Sequence, residues 1–95
     1  MISVLLKYRL ALVASQVNGC TYCTSHHACT LQRRWGYEDR QLAETLNPDG
    51  ARDEREAVAM QFVREASLGA AAVSDELRAK LAQHFTPQEV MEIVL

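Results

Sequence analysis

The sequence is poor in the residues that interrupt helices or build sheets. Its 95 residues include only four glycines and two prolines, and aromatic residues make up 6% of the chain. No segment alternates apolar and polar residues as a half-buried strand would. No segment is repeated or of low complexity. These absences argue against a sheet-based fold and against a repeat array, so the chain is predicted to be all-α.

Long apolar runs and an excess of positive charge are also missing. The apolar start, Met1 to Leu6, is too short to span a bilayer and lacks the order of regions found in a signal peptide. A net charge of -2 gives no basic footprint for nucleic acid or an anionic membrane. Three cysteines, an odd number, do not make the disulfide framework of a secreted protein. We therefore expect a cytoplasmic protein with neither nucleic acid nor a membrane as partner.

Length and turn signals predict one compact domain of five to six helices. The first helix, residues 2–17, is apolar except for a narrow polar strip. Lys7, Arg9 and Gln16 form this strip. Asn18-Gly19 and Asn47-Pro48-Asp49-Gly50 are turn signals. The other helices are predicted from Cys20 to Trp35, from Tyr37 to Leu46, from Ala51 to Leu68, from Asp75 to Phe85 and from Pro87 to Leu95. Gly36 is predicted to end the second helix, and Ser74 to cap the fifth. Thr86 and Glu89 form a capping box at the start of the last helix.

Two cysteines and a histidine share one face of the second predicted helix. Cys20 and Cys23 are three residues apart and His27 follows by four, so the three side chains fall within about 60° of one another. The helix N-terminus after Gly19 and the nearby imidazole both favour the reactive thiolate. We predict a cycle in which a thiolate attacks a peroxide and the sulfenic acid closes to a Cys20–Cys23 disulfide. An external dithiol then reduces that disulfide, and no other cofactor is expected.

The motif around these residues resembles a known family. Ser15-Gln16-x-Asn18-Gly19-Cys20-x-Tyr22-Cys23-x-x-x-His27, followed by Gly36, looks like the alkylhydroperoxidase D-like branch of the carboxymuconolactone decarboxylase superfamily. The likeness is dense over residues 4–36 and looser beyond. It implies an all-helical homo-oligomer, trimeric or hexameric, with thiol-dependent peroxidase or disulfide reductase activity in antioxidant defence.

The resemblance also implies individual roles. Cys23 would be the peroxidatic cysteine, Cys20 the resolving cysteine and His27 the base. The partners would be a small hydroperoxide as substrate and a dithiol or protein as reductant.

Two positions depart from the family pattern. Tyr8 stands where the family usually has a glutamate that orients the histidine, and Tyr22 stands where characterised members have a histidine. A tyrosine hydroxyl can hydrogen-bond an imidazole, but it carries no charge at neutral pH. Glu38, Glu44 and Glu56 are the candidates for a substitute acid.

Two other functions stay open. A non-redox enzyme of the same superfamily would act on a small lactone or acid and could dispense with its cysteines. A non-catalytic helical module would bind metal or mediate oligomerisation. Zinc needs convergent ligands, and Cys29 faces away from Cys20, Cys23 and His27, so no metal site is predicted. Haem attachment is excluded, because Thr24 rather than histidine follows the second cysteine.

The remaining reactive or charged side chains are predicted to be structural. His26 is expected at the surface and Cys29 in the core. His84 suits the negative end of a helix dipole, and Arg34 is expected to cap a helix or form a salt bridge. The acidic stretch Asp53-Glu54-Arg55-Glu56 is expected to be a solvated first helical turn.

Overall fold

The computed structural model describes residues 1–94, which form six α-helices and no strand. The predicted all-α class is thereby confirmed. The predicted end of the last helix at Leu95 lies outside the described residues. The helices are α1 (Val4–Val17), α2 (Thr21–Trp35), α3 (Asp39–Leu46), α4 (Glu54–Ser67), α5 (Asp75–His84) and α6 (Pro87–Val94), with a 3₁₀ turn at Ala70–Ala72 between α4 and α5.

Side-chain caps determine where several helices begin. Oxygens of Ser3, Asp53 and Ser74 each accept the backbone N–H three residues on, at 3.1, 2.8 and 3.1 Å. Because Ser3 and Asp53 lie outside the helices they cap, α1 and α4 begin later than predicted. The predicted capping box of α6 is confirmed, since Thr86 and Glu89 exchange hydrogen bonds of 3.0 and 3.2 Å.

Gly36 ends α2 as predicted. Its φ of 68° lies in the left-handed region, where a side chain would be strained. The Gly36 N–H donates to the carbonyl of Gln32 at 3.0 Å, and the Tyr37 N–H reaches that of Leu31 at 3.3 Å. These bonds satisfy the carbonyls at the end of α2 and turn the chain into α3.

The first helix is the centre of the packing. It lies against α2 on one side and against α4 and α3 on others, while α5 and α6 pack on α4. The apolar core between α1, α4 and α5 consists of Ile2, Leu6, Leu10, Val13, Val58, Ala59, Met60, Phe62, Val63, Val73, Leu77, Leu81 and Phe85.

Arg9 is buried, which corrects the prediction that it belongs to a polar strip. Only 4% of the residue is exposed. Its Nε and Nη2 donate to Oε1 of Glu56 at 3.0 and 2.6 Å. Its other donors reach Tyr37 Oη (2.7 Å), Thr45 Oγ1 (3.0 Å) and the carbonyl of Gly50 (3.3 Å). The guanidinium thus joins α1 to α3, α4 and the loop between them.

Glu56 is buried too, so the prediction of a solvated first turn is wrong at this residue. It is 3% exposed and accepts from Arg9 and, at 2.6 Å, from Arg52. A buried carboxylate is tolerated only when it is paired and hydrogen-bonded, and two guanidinium groups meet that need.

No helix within residues 1–94 is both long and apolar enough to cross a membrane.

Candidate redox site

The predicted dithiol lies at the junction between α1 and α2. Gly19 adopts a φ of 70°, and the Cys20 N–H donates to the carbonyl of Ser15 at 3.1 Å, which closes the turn. Cys20 is the N-cap of α2, and its Sγ accepts the backbone N–H of Cys23 at 3.2 Å. The two sulfurs form a disulfide, with the Cα atoms 5.3 Å apart. The capping geometry therefore brings both thiols to the helix N-terminus, where amide N–H groups point outward.

His27 lies beyond Cys23 on the same helix face and is half-buried. Its Nδ1 is buried and has no hydrogen-bond partner in the described part of the chain. Burial lowers the pKa of His27 below its usual value near 6.5, and the charge of His26, whose ring lies 5.4 Å away, lowers it further. His27 is therefore a neutral imidazole at neutral pH, and a neutral imidazole can accept a proton.

The ring of Tyr8 lies beside the imidazole of His27. Its ring meets that of His27 edge-on, with the centroids 6.1 Å apart. The Trp35 ring lies 5.7 Å from Tyr8, and the Arg34 guanidinium stacks 4.7 Å above Trp35 and 5.9 Å from Tyr8. Arg34 therefore forms cation–π contacts instead of the predicted cap or salt bridge.

None of the three candidate acids meets His27. Glu56 is held by two arginines, and Glu44 pairs with Arg40 at 3.4 Å. Glu38 caps α3 together with Gln41. The imidazole of His27 thus has an aromatic neighbour rather than a carboxylate, and its Nδ1 has no hydrogen-bond partner within residues 1–94.

The disulfide and His27 line a cleft of about 790 Å³. One wall is the face of α1 that carries Val4, Tyr8, Ala11 and Ser15, and the other side is formed by α2 and the end of α6. Apart from Tyr8, the residues of this wall were not predicted to belong to the site. These residues are three or four positions apart, so the sequence does indicate that they share one face of the first helix. Only the packing of α1 on α2 shows that this face lies next to the thiols.

The other face of α2 is open to solvent. His26 is exposed, as predicted, and Tyr22 is 82% exposed. The prediction that Cys29 is a core thiol is wrong, because Cys29 is exposed and free. Leu31 is the one residue of α2 that is fully buried. This helix therefore packs on the rest of the described residues mainly through one face.

His84 lies at a helix end, as predicted. It is the last residue of α5, and its carbonyl accepts the Nε–H of Arg55 at 3.1 Å. In residues 1–94 no group of three or more histidine, cysteine or acidic side chains is arranged to hold a metal ion.

No family model matches the chain, and it has no match among curated proteins or solved structures. The likeness to the alkylhydroperoxidase D-like branch therefore stays a prediction drawn from the motif. The chemistry of the site has to be argued from its own geometry.

Proposed function

We propose that the protein is a cytoplasmic thiol-dependent peroxidase and disulfide oxidoreductase that serves antioxidant defence. The observation that carries the proposal is the Cys20–Cys23 disulfide at the start of α2, open to a cleft that His27 also lines. A dithiol that can close and reopen, next to a neutral base, has the parts that thiol peroxidase chemistry needs.

In the first step, the reduced Cys23 attacks the hydroperoxide. His27 accepts the Cys23 proton, and the thiolate attacks the terminal oxygen of the O–O bond. An S–O bond forms, the O–O bond breaks, and the departing alkoxide takes the proton to leave as an alcohol. Cys23 is left as a sulfenic acid, oxidised by two electrons. The assignment of Cys23 is favoured because it is one helical turn from His27.

In the second step, Cys20 resolves the sulfenic acid. Its sulfur attacks that of Cys23, the S–S bond forms, the S–O bond breaks, and the hydroxyl leaves as water with the Cys20 proton. The Cys23 N–H, 3.2 Å from the Cys20 sulfur, would stabilise Cys20 as a thiolate. An external dithiol then donates two electrons and two protons by thiol–disulfide exchange. Both cysteines are partly exposed, which gives such a reductant access.

The test is a thiol count and intact mass, before and after one equivalent of tert-butyl hydroperoxide is added to the reduced protein. We expect loss of two of the three thiols and a disulfide mapped to Cys20 and Cys23. Cys23→Ser should not react, whereas Cys20→Ser should accumulate a sulfenic acid that dimedone traps. Cys29→Ser, which removes the exposed thiol, is the matched control and should behave like the parent. Three intact thiols would refute the proposal and favour a non-redox enzyme or a binding module.

We also propose that the protein works as a homo-oligomer, a trimer or hexamer. Support comes from large apolar side chains outside the cleft that the single chain leaves exposed, among them Met1, Leu68 and Met91. Contacts with a second copy of the chain would remove these side chains from water, which favours association. Sedimentation equilibrium at micromolar concentration tests this, and a monomer at every concentration would refute it.

A further inference from the structure

The first part of the chain has no acidic residue. All twelve aspartates and glutamates lie after position 37. Four of the ten lysines and arginines precede that position: Lys7, Arg9, Arg33 and Arg34. The overall charge of -2 is therefore the sum of a basic first part and an acidic remainder. Both helices that meet at the dithiol, α1 and α2, belong to the basic part.

Part of this charge is exposed on one side of α2. Tyr22, His26, Cys29 and Arg33 are spaced by four, three and four residues, which places them on a common side of the helix. All four are exposed, and we call this surface the outer face of α2. It lies opposite Leu31, the fully buried residue of the same helix. The outer face combines an aromatic ring, an imidazole, a thiol and a guanidinium, and it carries no carboxylate.

The charge of Arg33 is not compensated by an ion pair within the described residues. Neither Arg33 nor Arg34 has an acidic partner among residues 1–94. The first acids after α2 are engaged by other groups. Glu38 belongs to the capping box of α3, and Asp39 accepts a hydrogen bond from Gln32 at 3.2 Å. The guanidinium of the outer face is thus available to an acidic partner.

The outer face begins at the disulfide. Tyr22 lies between Cys20 and Cys23 in the chain and is 82% exposed. Arg33 follows Cys23 by ten residues, which corresponds to about 15 Å along the helix. A small dithiol that attacks the disulfide cannot also contact a guanidinium at that distance. A protein can, because a standard interface covers about 800 Å² on each partner, a patch roughly 28 Å across.

The composition of the outer face indicates what kind of protein would bind it. A disulfide that closes in each cycle has to be reopened by thiols, so a solvent-facing surface that starts at the disulfide suits the reductant. Tyrosine and arginine are among the residue types that most often dominate protein interfaces. Exposed positive charge without an acidic partner favours a protein with an acidic surface, both in the encounter and in the complex.

We propose that the outer face of α2 docks the protein that reduces the Cys20–Cys23 disulfide, and that this reductant is a dithiol protein with an acidic surface beside its thiols. The inference rests on the proposed function, which requires the disulfide to be reopened. Tyr22 and Arg33 position the reductant in this scheme and take no part in bond making.

The reduction itself is a pair of thiol–disulfide exchanges. A thiolate of the reductant attacks one sulfur of the disulfide, the S–S bond breaks, a mixed disulfide forms, and the released sulfur takes up a proton. The second thiol of the reductant then attacks the mixed disulfide and its proton passes to the remaining cysteine. The reductant leaves as a disulfide, and Cys20 and Cys23 have gained two electrons and two protons.

Two synthetic dithiol peptides test the charge of the partner. They share one pair of cysteines, followed by a tail of about ten residues that is long enough to reach Arg33 and is rich in glutamate in one peptide and in lysine in the other. Each peptide reduces the disulfide form of the Cys29→Ser protein, so that the exposed third thiol takes no part. Mass spectrometry of acid-quenched samples gives the rates, which are compared at equal thiolate concentration.

The acidic peptide should react at least about tenfold faster at low ionic strength, because opposite charge raises the rate of encounter. At about 1 M salt the screening length falls to about 3 Å, and the two rates should converge. Equal rates at low ionic strength would overturn the inference. So would a difference that survives in high salt.

Variants of Arg33 test the residue assignment, with rates expressed relative to dithiothreitol, an uncharged small dithiol. Arg33→Gln should lower the relative rate of the acidic peptide by about two- to fivefold, the contribution of one exposed ion pair, and Arg33→Lys should restore it. Arg40→Gln is the matched control, because Arg40 is exposed on α3 and pairs with Glu44 at 3.4 Å. It removes the same charge from another surface and should keep the relative rate of the parent. Equal relative rates in Arg33→Gln and Arg40→Gln would overturn the assignment.

Tyr22 is tested in the same assay. Tyr22→Ser should lower the relative rate of the acidic peptide at low and at high salt, because contact with an aromatic ring is not screened by ions. Tyr22→Phe keeps the ring and should keep the rate. A relative rate in Tyr22→Ser equal to that of the parent would remove Tyr22 from the docking surface.

Other occupants of the outer face would be recognised with the same variants. Sedimentation equilibrium in which Arg33→Gln, but not Arg40→Gln, dissociates an oligomer would make the face a contact between copies of the chain and overturn the inference. Binding of the parent, but not of Arg33→Gln, to vesicles of phosphatidylserine would assign the face to a membrane and overturn it as well.

The proposed function and this inference can fail separately. A disulfide that forms with tert-butyl hydroperoxide but is reduced at equal rates by both peptides would overturn the inference and leave the proposed function standing. A preference for the acidic peptide in a protein whose thiols no hydroperoxide oxidises would overturn the proposed peroxidase and leave the docking of an acidic dithiol partner standing.

Discussion

Replacing Glu56 by glutamine should destabilise the protein more than any comparable change of charge on its surface. Glu56 is 3% exposed and is the sole acidic partner of Arg9 within the described residues. The guanidinium of Arg9, itself 4% exposed, would keep its hydrogen bonds to Tyr37 and Thr45 but lose the only charge that compensates its own.

The expected loss follows from the burial of both partners. Removing one member of a buried ion pair costs about 3–5 kcal/mol, because the other charge is left in a medium of low dielectric constant. Arg52→Gln is the matched control, since Arg52 binds the same carboxylate but its side chain is 49% exposed. Glu56 keeps Arg9 as its partner in this variant, and the Arg52 side chain is half in water, so the loss should be about 1 kcal/mol. Each variant therefore removes one charge from the cluster of Arg9, Glu56 and Arg52, but the expected losses of stability differ greatly.

Urea unfolding followed by circular dichroism at the helix band measures the difference. For a small domain the free energy of unfolding falls by about 1–3 kcal/mol per molar urea, so Glu56→Gln should lower the midpoint by about 2 M. Arg52→Gln should lower it by about 0.5 M. Equal shifts in the two variants would refute the argument, because they would mean that Arg9 does not depend on the Glu56 charge.

Two other predictions concern His27. Because burial and His26 lower the pKa of His27 in the folded protein, the unfolded chain binds a proton more readily. Stability should therefore be full above about pH 6.5 and fall as the pH drops through that value. The His27→Gln variant should lose less stability than the parent protein between pH 7 and 5. An unchanged dependence of stability on pH would contradict the burial argument. The pKa of Glu89 is also lowered, first by its hydrogen bond from the Thr86 N–H, but this carboxylate affects stability only at more acidic pH. Tyr8→Glu would place a carboxylate beside the imidazole and should raise the pKa of His27, as measured by NMR titration of its ring protons. No movement would mean that position 8 does not act on His27.

Elements governed by neighbouring residues could be predicted from the sequence. Gly36 ends α2, Ser74 begins α5, and Thr86 with Glu89 begins α6, because each signal is complete within a few residues. The common face of Cys20, Cys23 and His27 is likewise a property of one helix. The starts of α1, α3 and α4 were predicted too early, because the N-caps Ser3, Glu38 and Asp53 were assigned to the helices themselves.

Features that join distant segments could not be predicted. Arg9 and Glu56 are 47 residues apart, and each alone resembles a solvated charge on an amphipathic helix. Cys29 was assigned to the core because free cysteines are usually buried, but it lies on an exposed part of α2. The contact of Tyr8 with His27 depends on how α1 packs on α2, which no local pattern specifies.

Tyr8 and Arg9 are consecutive in α1 and point about 100° apart, so one helix serves two purposes. Lys7 and Tyr8 belong to the wall of the cleft, whereas Arg9 anchors α1 to α3 and α4 through Glu56, Thr45 and Tyr37. Cys23 and His27 keep their mutual geometry through α2, and Cys20 is the N-cap of the same helix. Loosening the Arg9 anchor should therefore disturb the α1 wall of the cleft more than it disturbs the placement of Cys23 and His27 on α2.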